Sequence, residues 1–224
     1  MDNENNRNDG SNKPGKTFGQ FTCLRHDLNR YFYPDDDAPE IGPLRKGRIF
    51  ISTQGCWATT VCRLRRWAMI ECPMPAARPV LKAAGWFMHK AVEIAAGICI
   101  PPDIDIGPGL YIGHFGGIFF GTDVRDGVRV GMYCNISQEN TIGFGGRGEN
   151  RGVPKLGDFV HLGAGAKVIG RIRIGDNVAV GAVVTKDLPD NAVAAGVPAR
   201  VINMRGSRDF IHFCRRRSIF AENG

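Results

Sequence analysis

A six-residue period constrains this chain more than any other feature. Aliphatic residues stand at Ile100, Ile106, Ile112, Ile118, Val124, Val130, Ile136 and Ile142, and the series resumes at Leu156, Leu162, Val168, Ile174 and Val180. Glycine often follows directly, as in Ile106-Gly107, Val130-Gly131, Leu156-Gly157 and Ile174-Gly175. Four residues after an aliphatic the side chain is usually small or β-branched, as at Thr122, Val128, Cys134, Ala166, Val178 and Val184. So short a unit is neither a helix pair nor a propeller blade. It fits a short strand plus a tight turn, three of which close a triangular coil of about eighteen residues. Ile106, Val124 and Ile142 are then expected to stack inside, with glycine relieving the turns by accepting φ > 0. The expected architecture is a parallel β-helix over residues 99–202.

The register breaks between Gly143 and Leu156, where the insert FGGRGENRGVPK leaves as a polar, glycine-rich loop over 144–155. A loop leaving a regular solenoid usually carries binding or catalytic groups. Upstream, residues 18–98 have helical spacing. Leu24, Leu28 and Tyr31–Phe32 recur at three- to four-residue intervals, and Thr60–Glu71 puts Val61, Leu64 and Ala68 on one face with Arg63, Arg65 and Arg66 largely off it. Pro79–Ala96 puts Val80, Ala83, Phe87, Ala91 and Ile94 on one face, with His89 on the polar side. Residues 1–17 are polar and read as disordered, and 203–224 form a basic tail.

Charge separates these regions. The net +7 flanks the repeats, because residues 100–202 hold ten Lys/Arg and ten Asp/Glu. That balance argues against a nucleic-acid groove along the coils, while the flanks suit an acidic partner, a membrane surface or a polyanionic substrate. Seven cysteines without a CxxC pair, behind a polar start, read as reduced thiols of a cytoplasmic protein. The longest apolar stretch, 79–100, is broken by Lys82, His89, Lys90 and Glu93, so no transmembrane segment is expected.

The stretches IGPGLYIGHFGGIFFG, TIGFGGRGENRGVPKLGD and HLGAGAKVIGRIRIGDNVAVGAVVTKDLPDNAVAAGVPARVI resemble the serine acetyltransferase branch of the hexapeptide-repeat acyltransferases. The likeness implies a left-handed β-helix, a homotrimer with active sites between subunits, and acetyl-CoA as co-substrate. It maps the family base onto His114, and coenzyme contacts onto Gly145, Lys155, Ala164, Gly165, Ala182, Lys186, Ala195, Gly196 and Pro198. Three family positions differ. Gly113 and Cys99 stand where the family has aspartates, and Val153 stands where it has a second histidine. These departures, with the short helical region, point to a sugar hydroxyl in polysaccharide biosynthesis as acceptor. The alternatives are serine O-acetylation for cysteine synthesis and a non-catalytic β-helix scaffold.

Acetyl transfer to a hydroxyl needs a base and oxyanion donors. Imidazole suits the first task, and backbone N–H groups of Gly143–Gly146 are candidates for the second. Asp103, Asp105 or a backbone carbonyl is the expected orienting partner of His114. His161 reads as a surface polar residue, His26, His89 and His212 as structural, and Cys134 as packing. No metal is expected, since His114 and His161 lack the spacing of a zinc site. The basic tail, Arg205–Arg217, either covers coenzyme phosphates, touches an anionic surface or is simply solvated.

Overall fold

The structure is a computed structural model that describes residues 18–122 and 127–221; the disordered start expected over 1–17 and the repeat position Val124 lie outside them. Four helices come first: α1 (Gln20–Phe32), α2 (Pro43–Ser52), α3 (Gln54–Ile70) and α4 (Arg78–Ala96). Short strands follow: β1 (Ile98–Cys99), β2 (Asp105–Ile106), β3 (Tyr111–Ile112), β4 (Ile118–Phe120), β5 (Arg129–Val130), β6 (Asn135–Ile136) and β7 (Thr141–Gly143). After the loop come β8 (Lys155–Leu156), β9 (His161–Leu162), β10 (Lys167–Ile169), β11 (Arg173–Ile174), β12 (Ala179–Val184), β13 (Val193–Gly196) and β14 (Arg200–Asn203).

The strands build three faces of a prism. Face A holds β1, β4, β7, β10 and the end of β12; face B holds β2, β5, β8 and β11; face C holds β3, β6, β9, the start of β12 and β13. Pairing is parallel throughout, except where β14 turns back antiparallel on β13. Inside, Phe120, Ile142, Val168 and Val184 stack on face A, Ile106, Val130, Leu156 and Ile174 on face B, and Ile112, Ile136, Leu162 and Val180 on face C.

The expected eighteen-residue stacking does not hold for Ile106 and Ile142, which lie on different faces. Ile106 pairs with Val130 and Ile112 with Ile136, twenty-four residues on. From Ile112 the chain takes eight residues to reach the next residue of the stacked register, Phe120, and ten more to reach Val130. Eight and ten together equal three repeats, so the sequence keeps its phase while the coil does not. The eighteen-residue spacing holds from Leu156 to Ile174 and from Leu162 to Val180.

The reason for the repeat glycines also differs from the expectation. Gly107, Gly131, Gly157 and Gly175 all have φ outside the left-handed region. A Cβ on Gly131 would lie 2.4 Å from the Gly157 carbonyl oxygen, so it is the close approach of successive coils that demands glycine there. A column of positive φ runs instead along the corner between faces B and C: Gly109, Tyr133, Phe159, Asn177 and Asn191. Beside that column runs a ladder in which Met132 N–H donates to Asp158 (2.7 Å), Asp158 N–H to Asp176 (2.8 Å) and Asp176 N–H to Asp190 (2.9 Å).

A β-helix ends in unpaired backbone groups, and the helices cap this end with polar side chains. Asp27 accepts from the Gly109 and Leu110 N–H groups, both at 2.8 Å. Arg63, expected off the packed face, is buried; it pairs with Asp27 at 2.8 Å and donates to the Ile106 and Gly107 carbonyls, both at 2.7 Å. Arg66 serves Pro102 and Ile104, and Arg30 serves Gly109 and Cys134. Burial lowers the Arg30 pKa to about 10. Thus α1 turns Cys23, His26, Asp27 and Arg30 inward and leaves Leu24 and Leu28 half-buried.

The α4 helix is likewise rotated from the expectation. Val80, Phe87 and Ile94 are exposed, and Gly85, His89, Val92 and Ala96 are buried. His89 therefore lies within the fold, and burial, with Arg65 nearby, lowers its pKa. The carboxyl-terminal tail leaves Arg205, Arg208, Arg215 and Arg216 exposed but is not loose. It straps face C to α1: Phe210 stacks on His161 (4.9 Å between centroids), Phe213 and Phe220 cover Tyr133, and Arg215 N–H bonds Asp36 at 2.8 Å.

Candidate active site

His114 occupies the corner between faces C and A in the first coil. This corner is the long one: Ile112 to Phe120 spans eight residues, where Ile136 to Ile142 and Leu162 to Val168 span six. The two additional residues lift His114 and Phe115 out of the coil, and both are exposed. The turn is held from behind, where Gly116 N–H donates to the Ala96 carbonyl at the end of α4 (2.8 Å) and Glu139 N–H donates to the Gly116 carbonyl (2.9 Å).

Two residues past the face C core position, the same corner holds Gln138 and then Ala164 in the next coils. Gly165 N–H donates to the Gln138 carbonyl at 3.0 Å, and Gly165 has φ +75°. His114, Gln138 and Ala164 thus form a column that descends about 4.8 Å per coil. In the fourth coil the corner shortens to four residues, Val180 to Val184, which turns the Ala182 side chain into the core. Ala182 therefore offers only backbone to a ligand. Its register partner is Gly196, exposed with φ +95°, and Ala195 and Pro198 flank that end.

The remaining coenzyme candidates lie elsewhere. Lys186 is exposed two residues beyond Val184, at the corner between faces A and B. The 144–155 loop leaves from the same corner. Gly145 and Gly152 exchange two backbone hydrogen bonds of 3.0 Å, which close the loop on itself. The Gly145 N–H is thereby used, which removes it from the oxyanion donors expected in Gly143–Gly146. A Cβ on Gly145 would sit 2.2 Å from Ile169, so the position tolerates only glycine. Lys155 projects from face B in line with Asp105, Arg129 and Arg173. Between the two corners, face A carries a cleft of about 380 Å³ lined by Phe119, Thr141, Phe144 and Ile169. His114 stands beside this cleft rather than in its lining.

Within one chain, neither acidic candidate for orienting His114 is placed to do so. Asp105 is on face B, opposite the His114 corner, and pairs with Arg66 (3.1 Å) and Arg129 (3.5 Å). Asp103 is in the turn between faces A and B of the first coil. Of the three departures from the family pattern, Val153 is buried in the core, Gly113 adjoins His114, and Cys99 pairs with Phe119 on face A. His161 faces outward but is half-covered by Phe210, and burial lowers its pKa. Cys134 is buried with its thiol pKa pushed up to about 12 by burial, as suits a packing residue. His89, Glu93 and Cys99 bring three metal-type donor atoms within 4.8 Å of one another, but Glu93 is bonded to Lys90 at 2.6 Å. Sequence reasoning missed Gln138 and Glu139; their signal is the register, two and three residues past Ile136.

No family model matches the chain. It is 39% identical over 118 residues to the serine acetyltransferase of Synechococcus elongatus, covering 52% of this chain and 47% of that protein. It is 41% identical over 117 residues to that of Helicobacter pylori strain J99, covering 51% and 66%. The match thus spans from about half to just under two thirds of these relatives' length. Among solved structures, Neisseria gonorrhoeae serine acetyltransferase in complex with serine aligns with a TM-score of 0.62 at 26% identity, over 82% of this chain and 69% of that one. Brucella abortus serine acetyltransferase in complex with coenzyme A aligns with a TM-score of 0.60 at 25% identity, over 82% and 68%.

Proposed function

We infer that this chain, which belongs with the hexapeptide-repeat acyltransferases of the serine acetyltransferase type, moves an acetyl group from acetyl-CoA to a hydroxyl with His114 as base. The observation that carries the reading is the lifted His114 turn. The one corner of the first coil lengthened by two residues exposes an imidazole at the head of a column of Gln138 and Ala164.

The imidazole takes the acceptor proton as the hydroxyl oxygen attacks the thioester carbonyl. The tetrahedral intermediate then collapses, the C–S bond breaks, and the imidazolium returns its proton to the coenzyme sulfur. The products are the acetyl ester and free coenzyme A. Acetyl-CoA extends from His114 past Ala164 and Gly165 toward Ala182, Ala195, Gly196 and Pro198 at the far end of the coils. Gly145, Lys155 and Lys186 lie on or beyond the other edge of face A, out of line with His114 in one chain. A second copy of the chain, in a trimer, brings that edge to the His114 corner and completes the cleft.

Serine is the acceptor that the relatives support, in preference to the sugar expected from sequence. Gly113 and Cys99 favour the sugar as second reading, since neither supplies the carboxylate that would hold an amino acid's ammonium. Thiol release from acetyl-CoA, measured with serine and with a panel of sugars and polysaccharide repeat units, separates them. Turnover with serine alone establishes the first. Turnover with a sugar and none with serine replaces it with the second, and silence with every acceptor in a protein that fails to bind coenzyme A leaves the scaffold reading.

A further inference from the structure

The α4 helix has an apolar side that nothing among the described residues covers. At 100° per residue, Val80, Ala83, Ala84, Phe87, Ala91 and Ile94 fall within an arc of about 100°, centred about 160° from the buried side. Val80 is 70% exposed, Phe87 67% and Ile94 85%, and the arc contains no charged residue. Lys90, Trp86 and Lys82 line one flank of it. The α2 helix repeats the theme on a smaller scale. It has no buried residue, and Leu44 and Ile51, 90% and 71% exposed, share one side with Arg48 between them and Arg45 beside them. Together the two helices carry six cations, Arg45, Lys46, Arg48, Arg78, Lys82 and Lys90, against one carboxylate, Glu93. That carboxylate is already bonded to Lys90.

We propose that α2 and α4 form a docking surface for an anionic lipid bilayer, on which the protein lies without crossing it. Among the described residues no helix is long and apolar enough to span a membrane. A charge-free apolar stripe with flanking lysines and a bordering tryptophan is instead the composition of a helix that sinks into the headgroup boundary. Charge decides between a bilayer and a second copy of the chain. A second copy brings the same cation excess to the contact, whereas anionic headgroups neutralise it. The coils themselves are electrically balanced over 100–202, so the cation excess lies in the helices and the carboxyl-terminal tail. The α4 helix ends at the Ala96 carbonyl that anchors the His114 turn. Docking would hold the candidate active site close to the lipid surface and favour acceptors that reside there.

Sedimentation with phosphatidylcholine vesicles, with and without phosphatidylglycerol, tests this on the full chain. The protein is expected to pellet with the anionic vesicles, to release at high salt, and to pellet little with phosphatidylcholine alone. Phe87→Asp and the double variant Arg45→Glu/Arg48→Glu, both at exposed positions, should each weaken binding by at least about tenfold. Their melting temperature and their thiol release with a soluble acceptor should stay unchanged. No pelleting with either vesicle overturns the proposal, as does binding that both variants leave intact. A fall in oligomer mass for Phe87→Asp in light scattering also overturns it, because the stripe would then be an interface between copies.

Discussion

The corner between faces B and C and the two corners that bound face A are cut from the same repeat, and they have diverged. Every step from face B to face C takes six residues, from Ile106 to Ile112 down to Leu188 and Ala194. That corner has a left-handed residue in each coil, a carboxylate ladder and an aromatic column, Tyr133 on Phe159 at 5.9 Å, roofed by the tail. The corners of face A take four, six, eight, ten or fourteen residues. The irregular ones hold His114, the 144–155 loop and Lys186. Regularity at one corner lets the coils stack; with stacking secured, the other corners are free to vary in length and expose groups. Under the proposed function, the contrast places stability at the first corner and chemistry at the others.

The most damaging way to break the regular corner is to remove its cap. Asp27→Ala leaves Arg63 buried without its carboxylate and orphans the Gly109 and Leu110 N–H groups. A loss of about 3–5 kcal/mol is expected in urea unfolding. Asp176→Ala removes one rung, the 2.8 Å bond from Asp158 N–H. It should cost about 1–3 kcal/mol and leave thiol release per folded molecule unchanged.

How far the sequence reveals this contrast depends on what each signal encodes. The six-residue period exposes the β-helix because it records which side chains enter the core. It hides the lengthened His114 corner, since eight residues followed by ten preserve the phase through Val130. The 144–155 loop is visible because the step across it, fourteen residues from Ile142 to Leu156, is not a multiple of six. His114 itself comes from the family likeness; nothing in its periodicity marks it. Helical periodicity finds two sides of α4 and cannot tell which one the protein buries, so Val80, Phe87 and Ile94 appear on the outside. For α1 it follows the leucines, whereas the open end of the first coil calls for Asp27 and Arg30. An aliphatic count carries no record of unpaired backbone.

A smaller effect sharpens the comparison on the tail side. Burial under Phe210 holds the His161 pKa below its ordinary value of 6.5, so the folded state prefers the neutral ring. The unfolded chain then binds more protons, and stability rises with pH across this range. The contribution is complete above pH about 6.5 and is lost as pH falls below it. His161→Gln should flatten that part of the pH–stability curve. The protection factors of the Phe210–Phe213 amides should fall on acidification in the parent protein and less so in the variant.

The division of labour between corners stands or falls most directly on thiol release by His114→Asn, measured beside its melting temperature. The exposed ring makes no hydrogen bond within the chain among the described residues, so the melting temperature should not move. With coenzyme A binding retained, kcat/KM should fall about 10²- to 10⁴-fold. Full turnover by the variant, or a collapse in stability that accounts for its inactivity, would contradict the placement of the chemistry at this corner.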